Sequence, residues 1–232
     1  MMSSLQKLKE QVWKCNLDLF KKGLVIYTFG NVSGIDRERG LFIIKPSGVP
    51  YEELSSDDMV VVDLNNKVVE GKLKPSSDTK THAVLYRNFS NIGGIVHTHS
   101  TFATAWAQAC KSIPVLGTTH ADHAPVEIPC TDVMPDEKIK ANYEEETGNQ
   151  ILDTFKNFSY EDIEMVLVAG HGPFTWGKTP EQAVYNSAVL EEIAKMALIT
   201  LNINPDLKSL KQALIRRHFY RKHGKNAYYG QK

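Results

Sequence analysis

Short β-rich runs in the first third of the chain constrain its fold most strongly. Turn-forming pairs such as Ser33-Gly34, Ser47-Gly48 and Asn65-Asn66 separate these runs. Runs joined by such short turns pair as antiparallel hairpins. The pattern predicts strands over four segments: 24–29, 41–45, 59–63 and 67–70.

Helical periodicity marks the segments that would cover this sheet. Residues 4–22 carry apolar side chains at helical spacing, and Gly23 follows as a stop signal. A further helix is predicted to begin after Ser77, with Asp78 in its first turn. Other helices are predicted over 101–110, 135–157 and 180–201, and strands over 92–96 and 165–169. No repeat or Pro/Gly linker interrupts the pattern, so we expect one α/β domain over residues 1–232, a mostly antiparallel sheet covered by helices.

Composition excludes several functional classes. The 232 residues carry 27 basic and 27 acidic side chains, so the formal net charge is zero. Such a surface has no general attraction for nucleic acid or for an anionic membrane. No run approaches the roughly 20 apolar residues that cross a bilayer, and the N-terminal segment does not read as a secretory signal. Three scattered cysteines, Cys15, Cys110 and Cys130, are typical of reduced thiols, so we expect a cytoplasmic protein.

The sharpest local motif is His97-Thr98-His99, which directly follows the apolar run Gly93–Val96. Side chains two apart on a strand point to the same face, so both imidazoles would project together from the strand end. Neutral imidazole is a good zinc ligand. Taken alone, the pair is more simply explained as half-exposed strand histidines bonded to their neighbours, because two ligands do not make a metal site.

A third histidine and an acid extend the candidate site. His171 lies between two glycines after a predicted buried strand, where the backbone can turn sharply. It could complete a metal site or be an ordinary turn residue. Asp78 could be a fourth ligand or could orient a metal-bound histidine. The residue types alone favour a third role for Asp78, the capping of free N–H groups at a helix start.

Two further segments have the composition of anion-binding loops. Residues 30–34 (GNVSG) and 45–48 (KPSG) combine small residues, hydroxyl groups and one lysine. Such loops can present backbone N–H groups and charge-assisted donors to a phosphate. Neither is a Walker motif, and each alone is more simply an ordinary turn.

Taken together and in order, these motifs resemble a known family. The stretches GNVSG, KPSG, KPSSDT, GGIVHTHS, GTTHAD, AGHGPF-x-WG and RKHG-x-NAYYGQ run from the first part of the chain to its end. They resemble the class II aldolase family and, within it, the branch of bacterial L-ribulose-5-phosphate 4-epimerases. The segments Ala169-Gly170 and His123-Ala124-Pro125 depart from that branch without removing a residue that the chemistry requires.

The resemblance implies a three-layer α/β/α fold with a central antiparallel sheet, and a homotetramer with active sites at subunit interfaces. It implies one Zn²⁺ per subunit, held by His97, His99 and His171 with Asp78 at the metal. A phosphorylated ketopentose would bind through six residues: Gly30, Asn31, Ser47, Gly48, Ser76 and Ser77. Asp122 and Tyr229 would be the acid/base pair, contributed across an interface. The implied reaction interconverts L-ribulose 5-phosphate and D-xylulose 5-phosphate by breaking and remaking the C3–C4 bond, in arabinose or ascorbate breakdown.

Two alternatives stay open. A fuculose- or rhamnulose-phosphate aldolase would use the same metal, but a glutamate typically occupies the position of Asp78 in those enzymes. A non-catalytic interaction module of the same fold would lack the metal histidines, which are present here. Outside the resemblance, the basic and aromatic composition of residues 216–232 predicts a poorly ordered tail rather than a catalytic segment.

Overall fold

One seven-stranded sheet forms the centre of the molecule. The computed structural model describes residues 3–223 and 227–228, and within them the strand order is β4-β3-β2-β1-β5-β7-β6. Each pair of neighbouring strands is antiparallel. The strands are β1 (Asn31–Asp36), β2 (Leu41–Ile44), β3 (Val60–Asp63), β4 (Val68–Glu70), β5 (Gly94–His97), β6 (Met165–Val168) and β7 (Gly172–Gly177).

Helices cover both faces of this sheet. They are α1 (Ser4–Lys21), α2 (Thr79–Asn88), α3 (Thr101–Gln108), α4 (Thr118–Ala121), α5 (Asp136–Thr154), α6 (Pro180–Ile203) and α7 (Gln212–His223). Two short 3₁₀ turns, Ser56–Asp58 and Phe155–Asn157, complete the regular structure of the described residues.

Side chains point alternately to the two faces of the sheet, and the helices that pack on each face make a three-layer structure. Phe42 and Ile44 belong to one hydrophobic cluster and Ile43 belongs to another, because successive strand residues point to opposite faces. The first cluster packs against α2 and α5, and the second packs against α1. The predicted α/β class with helices on both sides of an antiparallel sheet is therefore confirmed. We propose that residues 1–232 form a single domain.

The predicted strand over 24–29 is wrong. These residues form a loop in which Ile26, Tyr27 and Phe29 are exposed. The strand begins instead at Asn31 and runs through Ser33-Gly34, where a turn was predicted. Gly34 is needed for close packing rather than for a turn, because a Cβ there would lie 2.8 Å from Pro180 Cγ and 2.9 Å from Val12 Cγ2.

Most other predicted elements agree with the structure to within a few residues. Strand β7 and helices α4 and α7 were not predicted. The prediction of a poorly ordered tail is wrong for residues 216–223, which belong to α7. Phe219 and Ile215 are buried on that helix, because its apolar side packs on the body of the protein. Among the described residues, no helix has the length and apolar character needed to span a bilayer.

Candidate active site

His97 and His99 emerge side by side where β5 ends. Their Nε2 atoms lie 3.1 Å apart. His97 Nδ1 lies 3.0 Å from the Pro173 carbonyl oxygen, which can only accept, so Nδ1 carries the proton and Nε2 has a free lone pair. Two nitrogens bound to one tetrahedral zinc ion would be about 3.3 Å apart, given Zn–N bonds of about 2.0–2.1 Å. The observed separation fits that requirement.

His171 completes the group from the turn between β6 and β7. Its ring centroid lies 4.7 Å from that of His97 and 5.1 Å from that of His99. Gly172 permits this approach, since a Cβ there would lie 2.8 Å from the Thr98 carbonyl oxygen. One nitrogen from each of the three histidines lies within 4.8 Å of the others, and no other group of this kind occurs among the described residues.

The surroundings favour neutral imidazoles. Burial, followed by the neighbouring His97, lowers the pKa of His171 to about 4 against an opposing effect of Asp78. The same two causes lower the pKa of His99. A metal ion requires the unprotonated form of histidine. The histidine donors and their spacing therefore fit a divalent metal such as zinc.

Asp78 lies beside the histidines but outside their compact group. It occupies the N-cap position of α2, yet its side chain makes no capping bond. Its Oδ2 instead accepts hydrogen bonds from Asn31 Nδ2 at 2.7 Å and from Ser76 Oγ at 3.4 Å. The capping role that the residue types favoured is therefore wrong. Asp78 is oriented towards the site by the first residue of β1.

Three loops converge around the histidines. The Ser47 amide donates to the Lys74 carbonyl at 2.9 Å, and the Ser76 amide donates to the Lys45 carbonyl at 3.1 Å. Gly30 adopts a φ of 72°, and a Cβ there would lie 2.7 Å from the His97 carbonyl oxygen. The loops enclose a cavity of about 380 Å³ that is lined by ten predicted site residues: Gly30, Asn31, Ser47, Gly48, Ser76, Ser77, Asp78, His97, His99 and His171.

Lys45 lines the cavity but is not the exposed lysine that the composition of its loop suggested. Its side chain is buried, and Nζ donates to the carbonyl oxygens of Val49 at 2.8 Å and of Thr28 and Pro46 at 3.4 Å each. The ammonium also lies 4.7 Å from the centre of the Tyr51 ring. Lys45 therefore ties the loop before Gly30 to the loop that contains Ser47.

Asp122, one of the two predicted acid/base residues, does not line this cavity. Asp122 directly follows α4, and residues of α7 hold its side chain. Its carboxylate accepts from Arg221 Nη2 at 2.7 Å and from Arg221 Nε at 3.0 Å, and His218 Nδ1 lies 3.0 Å from it. Burial opposes ionisation, but these hydrogen bonds hold the pKa of Asp122 below its usual value. Tyr229 lies outside the described residues.

Several neighbours of the site were not predicted. Thr28 and Phe29 line the cavity, directly before the Gly30-Asn31 pair that marked the loop. Tyr143, on α5, places its hydroxyl 3.3 Å from His171 Nδ1. Position in the sequence gives no signal for Tyr143, because only the packing of α5 brings it there.

The profile of the family described as "Class II Aldolase and Adducin N-terminal domain" matches residues 10–198, which is more than half of the chain. The chain belongs to this family. The matched segment contains all three histidines and every residue that lines the cavity.

Solved structures of the class II aldolase fold match along nearly the full length. An L-fuculose 1-phosphate aldolase is 25% identical, with a TM-score of 0.77, and the match covers 94% of this chain and 96% of that one. YgbL from Klebsiella pneumoniae, which is described as a candidate aldolase/epimerase/decarboxylase, is 23% identical. Its TM-score is 0.71, with 93% and 99% of the two chains covered. An L-fuculose-1-phosphate aldolase from Thermus thermophilus is 24% identical, with a TM-score of 0.65 and coverage of 88% and 99%.

Proposed function

We propose that this class II aldolase family member is a metal-dependent L-ribulose-5-phosphate 4-epimerase that interconverts L-ribulose 5-phosphate and D-xylulose 5-phosphate. The observation that carries the proposal is the meeting of three metal-compatible histidines with serine- and glycine-rich loops in one cavity of about 380 Å³. Both features suit a phosphorylated sugar in which the bond between the carbons α and β to a carbonyl is broken, because a metal can stabilise the resulting enediolate and the loops can hold the phosphate.

The substrate dictates the type of chemistry. Carbon 4 is β to the C2 carbonyl, so its hydrogen is not acidified and simple deprotonation cannot easily invert the centre. Cleavage between C3 and C4 instead yields the enediolate of dihydroxyacetone and glycolaldehyde phosphate. A divalent metal ion held by His97, His99 and His171 would supply Lewis-acid stabilisation to the developing negative charge. We propose one Zn²⁺ per subunit, although imidazole ligands also accept cobalt, manganese or nickel.

The loops would anchor the phosphate while the aldehyde turns. Backbone N–H groups and the hydroxyls of Ser47, Ser76 and Ser77 are donors of the kind that bind phosphate oxygens. An anchored phosphate keeps the aldehyde fragment in the site and lets rotation about the C4–C5 bond present the opposite face of the aldehyde. Recombination on that face gives the inverted centre.

Cleavage and recombination also require two proton transfers at the C4 oxygen. This oxygen loses its proton to a base as the bond breaks, and gains one from an acid as the bond forms again. We propose Asp122 and Tyr229 for these roles, donated by a neighbouring subunit of a homotetramer. Asp122 is absent from the lining of the cavity in its own chain, and donation by another subunit would bring it to the reacting oxygen.

A second candidate is an aldolase of the L-fuculose 1-phosphate type. The 25% identity to such an enzyme over nearly the whole chain favours it. Against it stands Asp78, which is one methylene shorter than the glutamate typical of those aldolases. A non-catalytic module is disfavoured by the three clustered histidines.

The test follows the fate of the C4 hydrogen. Purified protein with L-ribulose 5-phosphate in heavy water should form D-xylulose 5-phosphate that retains its C4 hydrogen by NMR, and a strong chelator should abolish the reaction. Deuterium at C4 would contradict the cleavage mechanism. Net release of dihydroxyacetone and glycolaldehyde phosphate would instead support an aldolase. We propose that the protein acts in the cytoplasm on arabinose- or ascorbate-derived pentose phosphates.

A further inference from the structure

Tyr143 reaches the candidate metal centre from a helix that contributes no histidine to it. Its hydroxyl oxygen lies 3.3 Å from His171 Nδ1, and the two ring centroids are 6.0 Å apart. The contact engages Nδ1, so Nε2 is the ring nitrogen of His171 that remains for an ion. Tyr143 is 36% exposed, so its hydroxyl contacts the histidine without being enclosed in the core.

A break in α5 sets the position of Tyr143. Asn142, immediately before it, has non-helical φ and ψ values of −145° and 73° within an otherwise continuous helix. A break of this kind needs partners for the backbone and side-chain groups that it frees. Asn142 Nδ2 donates to Glu145 Oε2, and the Tyr143 carbonyl accepts from Thr147 Oγ1 at 2.9 Å.

Helix α2 holds the break on both sides. Lys80 Nζ donates to Asn142 Oδ1 at 2.7 Å, and Thr81 Oγ1 donates to the Glu144 carbonyl at 2.5 Å. Both donors lie in the first turn of the helix that follows Asp78. The segment that carries Asp78 therefore also fixes Tyr143, and the two side chains approach the histidines from a common support.

We infer that Tyr143 is a positioning residue for the metal centre, accepting a hydrogen bond from His171 Nδ1–H. This bond would hold the tautomer in which Nε2 has a free lone pair and would fix the ring plane. His97 has the equivalent arrangement, since its Nδ1 donates to the Pro173 carbonyl. Hydrogen bonds to the second nitrogen of a ligating histidine typically change metal affinity by about 10–100-fold when they are removed.

The inference rests on the metal site of the proposed function, and its test measures binding rather than turnover. Apo protein of the full chain is titrated with Co²⁺ against a chromophoric chelator, for wild type and Tyr143→Phe. The variant should bind Co²⁺ about tenfold more weakly, and its visible Co²⁺ spectrum should change. Tyr220→Phe, which removes an exposed hydroxyl on α7, should have the wild-type dissociation constant.

A second variant tests the role of the break. Asn142→Ala should also weaken Co²⁺ binding. In the Tyr143→Phe background it should lower Co²⁺ affinity little further, because it would act through the hydroxyl that this background already lacks. Wild-type affinity and spectrum in Tyr143→Phe would overturn the inference. If Asn142→Ala lowers Co²⁺ affinity as much in the Tyr143→Phe background as in wild type, the break in α5 does not act through Tyr143. If wild type itself binds no Co²⁺, the metal site of the proposed function fails, which is a distinct result.

Discussion

Asn31 Nδ2 donates a 2.7 Å hydrogen bond to Asp78 Oδ2, which ties the first residue of the central strand to the N-cap residue of α2. Burial would raise the pKa of Asp78. The neighbouring His97, His82 and His171, together with the Asn31 bond, nevertheless hold it below its usual value. The acid is therefore a fixed carboxylate beside the histidines.

This relationship predicts that Asn31→Ala destabilises the metal-free protein. A hydrogen bond to a charged group contributes about 1.5–3 kcal/mol, so the free energy of unfolding should fall by about that amount in urea denaturation. The matched control is Asn91→Ala. Asn91 Nδ2 also bonds a carboxylate, Glu161 Oε1 at 2.6 Å, but at an exposed site.

The control should change the free energy of unfolding by no more than about 0.5 kcal/mol, as is usual for surface substitutions. Equal effects of the two substitutions would show that the Asn31–Asp78 bond contributes nothing beyond a surface contact.

Sequence patterns were reliable where strand alternation and turn chemistry coincide. Phe42-Ile43-Ile44 alternates between the two clusters, and the predicted strand there is correct to one residue. The predicted strand over 24–29 is wrong because the segment forms a loop, in which Leu24 and Val25 are buried but Ile26, Tyr27 and Phe29 are exposed. Burial depends on the packing of α1 and α6 over the sheet, which local pattern does not encode.

The candidate site likewise contains residues that local pattern located and contacts that it missed. The structure brings ten of the predicted residues together around one cavity, and all of them except Gly30 and Asn31 lie beside a strand end or a helix start that local pattern located. The inward direction of Lys45 and the contact of Tyr143 with His171 were not predicted. Each depends on elements distant in sequence: the loop around Thr28 for Lys45, and the broken helix α5 for Tyr143.

Lys45 leads to a prediction about pH. Burial lowers the pKa of Lys45 from 10.5 to about 8. Between these values the unfolded chain binds the proton more strongly than the folded one, so this residue makes stability rise with pH across that window. The free energy of unfolding of wild type, relative to Lys45→Met, should therefore increase between pH 8 and 10, by at most about 1.4 kcal/mol per pH unit.

Urea denaturation of both proteins at several pH values measures this difference. The comparison with Lys72→Met, which removes an exposed lysine, should stay flat over the same range. A flat or falling difference for Lys45→Met would mean that its surroundings do not disfavour the charged form.

The histidine group predicts how stability responds to metal. An ion that binds only the folded chain raises the free energy of unfolding by about 2.7 kcal/mol when its free concentration is about one hundred times its dissociation constant. Zn²⁺ should therefore raise the melting temperature of wild type, and a chelator should reverse the rise. His97→Ala should abolish the response, whereas His123→Ala, outside the group, should retain it. A full response in His97→Ala would place the bound ion elsewhere.

The last prediction concerns the separation of Asp122 from the metal site. Arg221 and His218 hold Asp122 against α7, and the cavity in the same chain lacks it. If a neighbouring subunit donates Asp122, then His97→Ala and Asp122→Asn damage different chains of one composite site. Each variant alone should be nearly inactive. After denaturation and joint refolding in equal amounts, about one quarter of the sites should combine an intact histidine group with an intact Asp122, if subunits assemble at random in a closed ring.

Activity in the mixture should then approach about a quarter of the wild-type value. Mixing His97→Ala with His99→Ala is the matched control, since both changes lie in the same histidine group and no intact site can form. Mass spectrometry of the mixture should first establish that hybrid oligomers exist. Hybrids without recovered activity would mean that Asp122 serves its own chain or none, and the shared site would have to be abandoned.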